Sequence, residues 1–231
     1  MSSSADSSSF PGRIVRRALL LDAPERAATR LLGMILARRA EDGTIQTGRI
    51  VEVEAYLGPH NTPPDPAAHS FRGPTGRNRV LFGPAGHAYV YSIYGRYFCM
   101  NVSCEPEGRA GCVLLRALEP LGTAESLARM ATHRGLNIEP YANGYPLADQ
   151  AARALTSGPS RLCQALGLTR AAHNGLDLLD PDSPLQLRED GFTPAEPLVT
   201  PRIGIRQAAD WPLRFALRGQ RCVSGPARLR G

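Results

Sequence analysis

The sequence predicts a single-domain α+β fold: a mixed or antiparallel curved sheet with surrounding helices and a protruding β-hairpin. Segments that alternate apolar and polar residues predict strands, and segments with apolar residues at helical spacing predict helices. No internal repeat or linker divides the chain of 231 residues. The Ser-rich residues 1–12 are expected to be a disordered tail, and residues 13–231 to form the domain.

The first helix is predicted after a capping box formed by Asp22 and Glu25, and Gly33 ends it. Two strands follow, over residues 34–39 and 45–56, joined by a turn-rich tetrad. The next segment, residues 58–76, is rich in Pro and Gly. Structureless segments of that length inside compact domains are usually functional or disordered.

The second half of the chain contains further predicted elements and one region without a firm signal. Strands are expected over residues 88–93, 96–103 and 112–118, and short strands near Trp211. A helix is predicted over residues 123–134. Another begins in Ser157-Gly158-Pro159-Ser160, with Pro in its first turn, and ends at Gly167. Residues 136–156 give no clear prediction.

Composition limits the possible functions. The chain has 27 basic and 21 acidic residues, a net charge of +6, and every basic residue is Arg. The absence of Lys excludes an ε-amine nucleophile and a P-loop lysine. A basic protein favours acidic partners, nucleic acid above all, although Arg usage can also reflect genome base composition. No apolar run approaches the roughly 20 residues of a membrane span.

The five cysteines form no CxxC pair, so we expect reduced, half-buried thiols rather than a zinc site or disulfides. No metal or cofactor is predicted.

The strand over residues 45–56 ends with alternating polar and apolar side chains. Glu52, Glu54 and Tyr56 share one face, and small apolar residues share the other. One interpretation is a solvated edge strand with an aromatic residue at its end. The other is that one carboxylate acts as a general base on water, beside a tyrosine that stacks on a substrate.

The segment around Tyr94-Gly95 predicts a β-hairpin with a two-residue loop. Its tip carries Tyr94, flanked by Arg96, where turns usually carry small polar residues. An exposed aromatic ring at a turn suits a wedge that enters the minor groove and unstacks a base step. The alternative is packing against another loop.

The pairing of this hairpin decides which side chains share a face. With a two-residue loop and no bulge, Tyr91 shares a face with Phe98, whereas Asn101 lies on the opposite face with Tyr97.

Several other side chains are candidates for function. His69 in the long loop is either a solvated side chain or part of a site. Arg116 interrupts an apolar strand and needs a partner, either a carboxylate such as Glu54 or a bound phosphate. Four further arginines form a candidate phosphate-contacting surface: Arg72, Arg77, Arg79 and Arg96. Arg161 lies at a helix start whose free amides could bind an anion.

These segments together resemble the alkyladenine (3-methyladenine, or methylpurine) DNA glycosylase family. The resemblance is carried by GRIVEVEAYLG (48–58), AAHS (67–70), RNR (77–79), YVYSIYG (89–95) through Asn101, VLLRALEP (113–120) and SGPSRL (157–162). They occur in order and span most of residues 30–220.

The resemblance implies hydrolysis of the N-glycosidic bond of alkylated purines in duplex DNA, the first step of base-excision repair, without lyase activity. It assigns the water-activating base to Glu54 and an orienting role to Arg116. The implied pocket residues are Tyr56, His69, Tyr91, Asn101 and Leu114, of which Asn101 crowds the 2-amino group of normal guanine. Tyr94 is the implied wedge, and Arg77, Arg79, Arg96 and Arg161 are expected to contact DNA.

With a good leaving group in a cationic purine, one general base suffices, so Glu52 is interpreted as structural. Placing Asn101 and Tyr91 in one pocket conflicts with the unbulged hairpin, so either a bulge exists or one assignment is wrong. The chain departs from the family at a proline-rich insertion, residues 61–66, and at Arg96, where relatives commonly have Met.

The expected partner is double-stranded DNA with alkylated or deaminated purines, bound by a monomer, with no membrane association. Cytoplasmic localisation is expected in a bacterium and nuclear localisation in a eukaryote. The alternatives are a non-catalytic protein that binds damaged or structured nucleic acid and a structural RNA-binding domain.

Overall fold

The computed structural model describes residues 9–225 and confirms the predicted α+β domain. All strand pairs in this part of the chain are antiparallel, and the sheet curls. The strands are β1 (Arg13–Ile14), β2 (Ile35–Arg39), β3 (Ile45–Tyr56), β4 (Ala88–Ile93), β5 (Tyr97–Cys104), β6 (Gly111–Leu121), β7 (Leu185–Glu189), β8 (Leu198–Thr200) and β9 (Arg214–Ala216). The helices are α1 (Pro24–Leu31), α2 (Ala124–His133), α3 (Asp149–Thr156), α4 (Pro159–Ala165) and α5 (Arg170–His173).

Residues 1–8 of the predicted tail and residues 226–231 lie outside the described residues. At the end of the predicted tail, the guanidinium of Arg39 lies 4.8 Å from the centroid of the Phe10 ring.

The sheet order is β1-β7-β2-β3-β6-β5-β4, so the long strand β3 is central rather than an edge. β2 pairs with the first half of β3, and the short strand β9 pairs with its second half. The solvated-edge interpretation of β3 is therefore wrong. Both Glu52 and Glu54 are fully buried.

The pairing of β3 with β6 is irregular where the polar face begins. The register shifts on either side of Glu52, which pairs with Ala117, and returns to its earlier value at Val53. One extra residue on β3 is thus balanced by one on β6, Arg116. Such bulges re-aim side chains and are common beside active sites.

The two faces of the sheet bury different sets of side chains. On one face, Val51, Val53 and Ala55 join the main hydrophobic cluster, to which helices α1 to α4 all contribute. A smaller cluster contains Tyr89 and Cys112, with other aromatic residues packed against it. Helices cover the first face, and the second face is left for the aromatic side chains.

At the helix starts, one prediction is confirmed and another is wrong. The helix predicted over residues 123–134 is confirmed as α2, and Thr123 caps it through the N–H of Ser126. The capping box is wrong, because α1 starts after Ala23 and has no side-chain cap. Asp22 instead accepts from the N–H of Ala23 and pairs with Arg26 and Arg30.

The region without a firm signal contains α3, whose N-cap residue, Ala148, offers no side-chain cap.

The five cysteines are unpaired, and they are buried rather than half-buried as predicted. Within residues 9–225, no helix has both the length and the apolarity that crossing a membrane demands.

Candidate active site

Glu54 lies at the centre of a buried hydrogen-bonded group. Its Oε1 accepts from the N–H of Ile203 at 2.7 Å and lies 3.1 Å from Nη1 of Arg116. Its Oε2 accepts from the hydroxyl of Tyr56 at 3.0 Å. Burial, followed by the charge of Glu54, raises the pKa of Tyr56, so the phenol stays protonated and donates. The carboxylate is thus fixed from three sides.

The expected partner of Arg116 is confirmed, and a second one is present. Nε of Arg116 lies 2.8 Å from Oε1 of Glu52, and Nε of Arg214 lies 2.7 Å from the same oxygen. Ser224 donates to Glu52 through both its N–H and its hydroxyl. Burial alone would raise the pKa of Glu52, but Arg116 and Arg214 outweigh it and lower the pKa. Glu52 is fully engaged, which agrees with a structural role.

A cavity of about 120 Å³ adjoins this group on the aromatic face. It is lined by Tyr56, Ala67, His69, Tyr89, Tyr91, Asn101, Cys112 and Ile205. The rings of His69 and Tyr91 lie edge to face, with centroids 4.5 Å apart. Tyr89 stacks on Tyr91 at 5.4 Å. Aromatic walls of this kind suit a flat heterocycle.

His69 is held in the cavity wall by a side-chain contact with strand β4 and a backbone hydrogen bond to Asn78. Its Nδ1 lies 3.0 Å from the hydroxyl of Tyr89, and its carbonyl oxygen accepts from the Asn78 side chain. Burial and, less strongly, Arg77 lower the pKa of His69 below 6.5. The lowered pKa favours the neutral imidazole, which does not repel a cation in the cavity.

The hairpin register in the structure places Asn101 in the cavity. Ile93 pairs with Tyr97, so the loop has three residues, and the two-residue prediction is wrong by one residue. Tyr91 then pairs with Cys99 and Tyr89 with Asn101, which places Tyr91 and Asn101 on the same face. The extra loop residue, Arg96, resolves the conflict between the two assignments.

Leu114 lies in the sheet between two cavity-side residues. It pairs with Glu54 on one side and with Asn101 on the other, and it is 5% exposed. Directly paired residues share a face, so Leu114 lies beneath the site. It is not part of the cavity lining.

Tyr94 projects from the hairpin tip with 90% of its surface exposed. Its φ is 49° and that of Gly95 is 74°, so both residues lie in the left-handed region of the backbone. Packing against another loop is therefore wrong for this ring.

The predicted DNA-contacting arginines are all exposed. Arg77 lies over the Tyr91 ring at 5.6 Å, and Arg96 donates to the hydroxyl of Tyr97. Arg79 lies at the start of a short 3-10 turn, and Arg161 in the first turn of α4.

A groove of about 380 Å³ shares Ala67, His69 and Tyr89 with the cavity, and Arg72 and Arg77 also line it. The aromatic cavity thus adjoins a groove with a positively charged side. A wider depression of about 590 Å³ beside Glu119 and Arg221 shares no residue with the cavity.

Sequence reasoning missed the residues that the C-terminal segment contributes to the site. Ile203 and Ile205 follow Arg202, which forms a buried ion pair with Asp65. Neither hydrophobic periodicity nor a motif singles them out. A sequence signal does exist for Asp65, a carboxylate within a proline-rich apolar segment, which must find a partner if the segment is buried.

Comparisons with known proteins agree with this geometry. A family model for methylpurine-DNA glycosylase matches residues 18–221. A relative from Koribacter versatilis named "Putative 3-methyladenine DNA glycosylase" is 49% identical over 206 residues, covering 89% of this chain and 90% of the relative. Relatives with the same name from Methanoculleus marisnigri and Burkholderia lata are 48% and 42% identical, covering 84% and 96% of this chain and 90% and 96% of the relatives. A cavity walled by aromatic rings, a buried carboxylate beside it and a match over most of the chain lead to one conclusion: the chain belongs to the methylpurine-DNA glycosylase family.

Proposed function

We propose that this DNA glycosylase flips 3-methyladenine and related purine lesions out of duplex DNA and hydrolyses their N-glycosidic bond with a water activated by Glu54. The observation that carries the proposal is the fixed position of the Glu54 carboxylate beside a cavity with aromatic walls.

The hydrogen bonds of Glu54 leave one acceptor position for a water molecule. A carboxylate has about four acceptor positions. Among the described residues, Oε1 takes Ile203 and Arg116, whereas Oε2 takes only Tyr56. Oε2 can therefore accept from one more donor, the O–H of a water. Arg116, held in turn by Glu52, keeps the carboxylate in one orientation.

In the proposed step, the water oxygen attacks C1′ of the deoxyribose and its proton passes to Glu54. The bond from C1′ to the purine nitrogen breaks, and the electron pair leaves with the base. A purine alkylated at N3 or N7 is cationic, so it departs as a neutral molecule and needs no general acid. The chain has no Lys, so an abasic strand cannot be cleaved through a lysine imine.

The aromatic walls account for binding of the flipped base. Extruding a nucleotide costs a few kcal/mol, and stacking on aromatic rings recovers about 1–3 kcal/mol per base. A cationic base gains roughly 0.5–2 kcal/mol more from each ring face. Tyr56, His69 and Tyr91 supply these faces, and Asn101 lies where it can meet the edge of a purine. Tyr94 fills the space that the base leaves in the helix.

A base-release panel tests the function. Purified protein is incubated with duplexes that each contain one 3-methyladenine, 7-methylguanine, hypoxanthine or ethenoadenine, and both free base and strand breaks are measured. We expect free 3-methyladenine and an intact abasic strand. Salt-sensitive binding without release of any base would instead indicate a non-catalytic binding protein.

A further inference from the structure

Asp65 and Arg202 form a buried ion pair behind the cavity. Nη1 and Nη2 of Arg202 lie 2.5 and 3.0 Å from the two carboxylate oxygens of Asp65, and both side chains are fully buried. The carboxylate also accepts from the N–H groups of Leu57 and Ala67. Such a bidentate pair has a fixed geometry.

Arg202 lies against Tyr56, which lines the cavity. Its guanidinium carbon is 4.6 Å from the centroid of the Tyr56 ring, and Nη1 donates to the carbonyl of Ala55. Arg202 does not line the cavity. The guanidinium thus covers one face of the ring, and in the proposed complex the base stacks on the other face.

The buried charges around the cavity cancel. Three carboxylates and three guanidiniums, from Glu52, Glu54, Asp65, Arg116, Arg202 and Arg214, are paired with one another. Asp65 is the carboxylate that neutralises the cation next to the stacking ring.

We propose that Asp65 sets the selectivity of the cavity between cationic and neutral purines, because it neutralises the guanidinium behind Tyr56. This inference rests on the proposed function. A cation on one face of an aromatic ring opposes the binding of a second cation on the other face, unless its charge is balanced. Asp65 and Arg202 are positioning residues here, since neither touches the base.

The expected size of the effect follows from Coulomb's law. A base stacked on the open face of Tyr56 would lie roughly 8 Å from the guanidinium, and at an effective dielectric constant of about 20 the repulsion corresponds to roughly a thirtyfold change in affinity. Neutral bases would not experience it. Asp65→Asn should therefore weaken binding of cationic lesions selectively.

The test compares two duplexes that differ in charge and not in shape: one with 7-methylguanine and one with its uncharged 7-deaza analogue. Their dissociation constants are measured at fixed salt in a Glu54→Gln background, so that no base is released. We expect Asp65→Asn to lower the preference for the cationic base by tenfold or more. Arg202→Met should raise the preference for the cationic base over its neutral analogue. The double variant, with both Asp65→Asn and Arg202→Met, should return this preference to within threefold of the parent.

Glu105→Gln is the matched control, because Glu105 is a buried carboxylate paired with Arg109 and does not line the cavity. It should leave the preference unchanged. Equal weakening of both duplexes by Asp65→Asn, or a shift in the same direction for Arg202→Met, would overturn the inference and indicate a purely structural pair. If Asp65→Asn does not fold, Arg202→Met and the double variant still decide the sign.

Failure of the proposed function has a different signature. In that case the unmodified protein releases no base from any lesion duplex, whereas failure of this inference leaves release intact and only the charge preference unchanged.

Discussion

Replacing Tyr94 with Ala separates a role in opening DNA from a role in the fold. The ring is 90% exposed at the hairpin tip. Ala also keeps the positive φ of 49° at a strain similar to that of Tyr. We therefore expect the free energy of unfolding to change by no more than about 0.5 kcal/mol.

The expected effect on duplex DNA is much larger. If the ring replaces the stacking of the extruded base, its loss removes about 1–3 kcal/mol, which corresponds to a decrease of roughly 5-fold to 150-fold in the rate of base release. Single-stranded DNA has no stacked partner to displace, so its rate should change little. The ratio of duplex to single-strand rates therefore reports the wedge alone.

The assay is single-turnover release of 3-methyladenine from both substrates by Tyr94→Ala. Tyr94→Phe is the matched control, since it keeps the ring and should keep the ratio. Equal rates of duplex release for Tyr94→Ala and the unmodified protein would refute the wedge. A loss of stability above about 1 kcal/mol would show that the ring supports the fold instead.

Three further outcomes are expected. Glu52→Gln should destabilise the protein by about 3–5 kcal/mol in urea unfolding, because Arg116 and Arg214 lose their shared buried partner. The pKa of His69 lies below its usual value of 6.5 in the folded protein, so the unfolded chain takes up a proton at this position first as the pH falls through 6.5. The free energy of unfolding should therefore fall more steeply with decreasing pH in the unmodified protein than in His69→Gln. Arg79→Gln or Arg96→Gln should each reduce the slope of log Kd against log salt by about 0.9 if it removes one phosphate contact, measured by DNA titration at several salt concentrations.

The sequence predicted those parts of the fold that depend on local patterns. The alternation along β3 and the signals around α2 gave elements that match the structure closely. The hairpin was predicted with the right strands and the wrong register, because two-residue and three-residue loops share the Tyr94-Gly95 signal. Only the position of Arg96 distinguishes them.

The site was predicted less completely, because its charges are balanced across long distances in sequence. Glu52 pairs with Arg116 and Arg214, which follow it by 64 and 162 residues. Asp65 lies 137 residues before Arg202. Alternating carboxylates in a strand look the same whether they face solvent or buried arginines, so the buried interpretation depended on the resemblance to a family and on the partner that Arg116 requires in its apolar strand.

The role of Glu54 is tested most directly by Glu54→Gln, which keeps the size of the side chain and acceptors for Ile203 and Arg116. A general base typically contributes about 10²–10⁴-fold to the rate. Single-turnover release of 3-methyladenine should therefore fall by at least about 100-fold, while the affinity for lesion duplex stays within a fewfold of the parent. Glu119→Gln, a change at a buried carboxylate outside the cavity, should release base normally. Release by Glu54→Gln at near the unmodified rate would contradict the account.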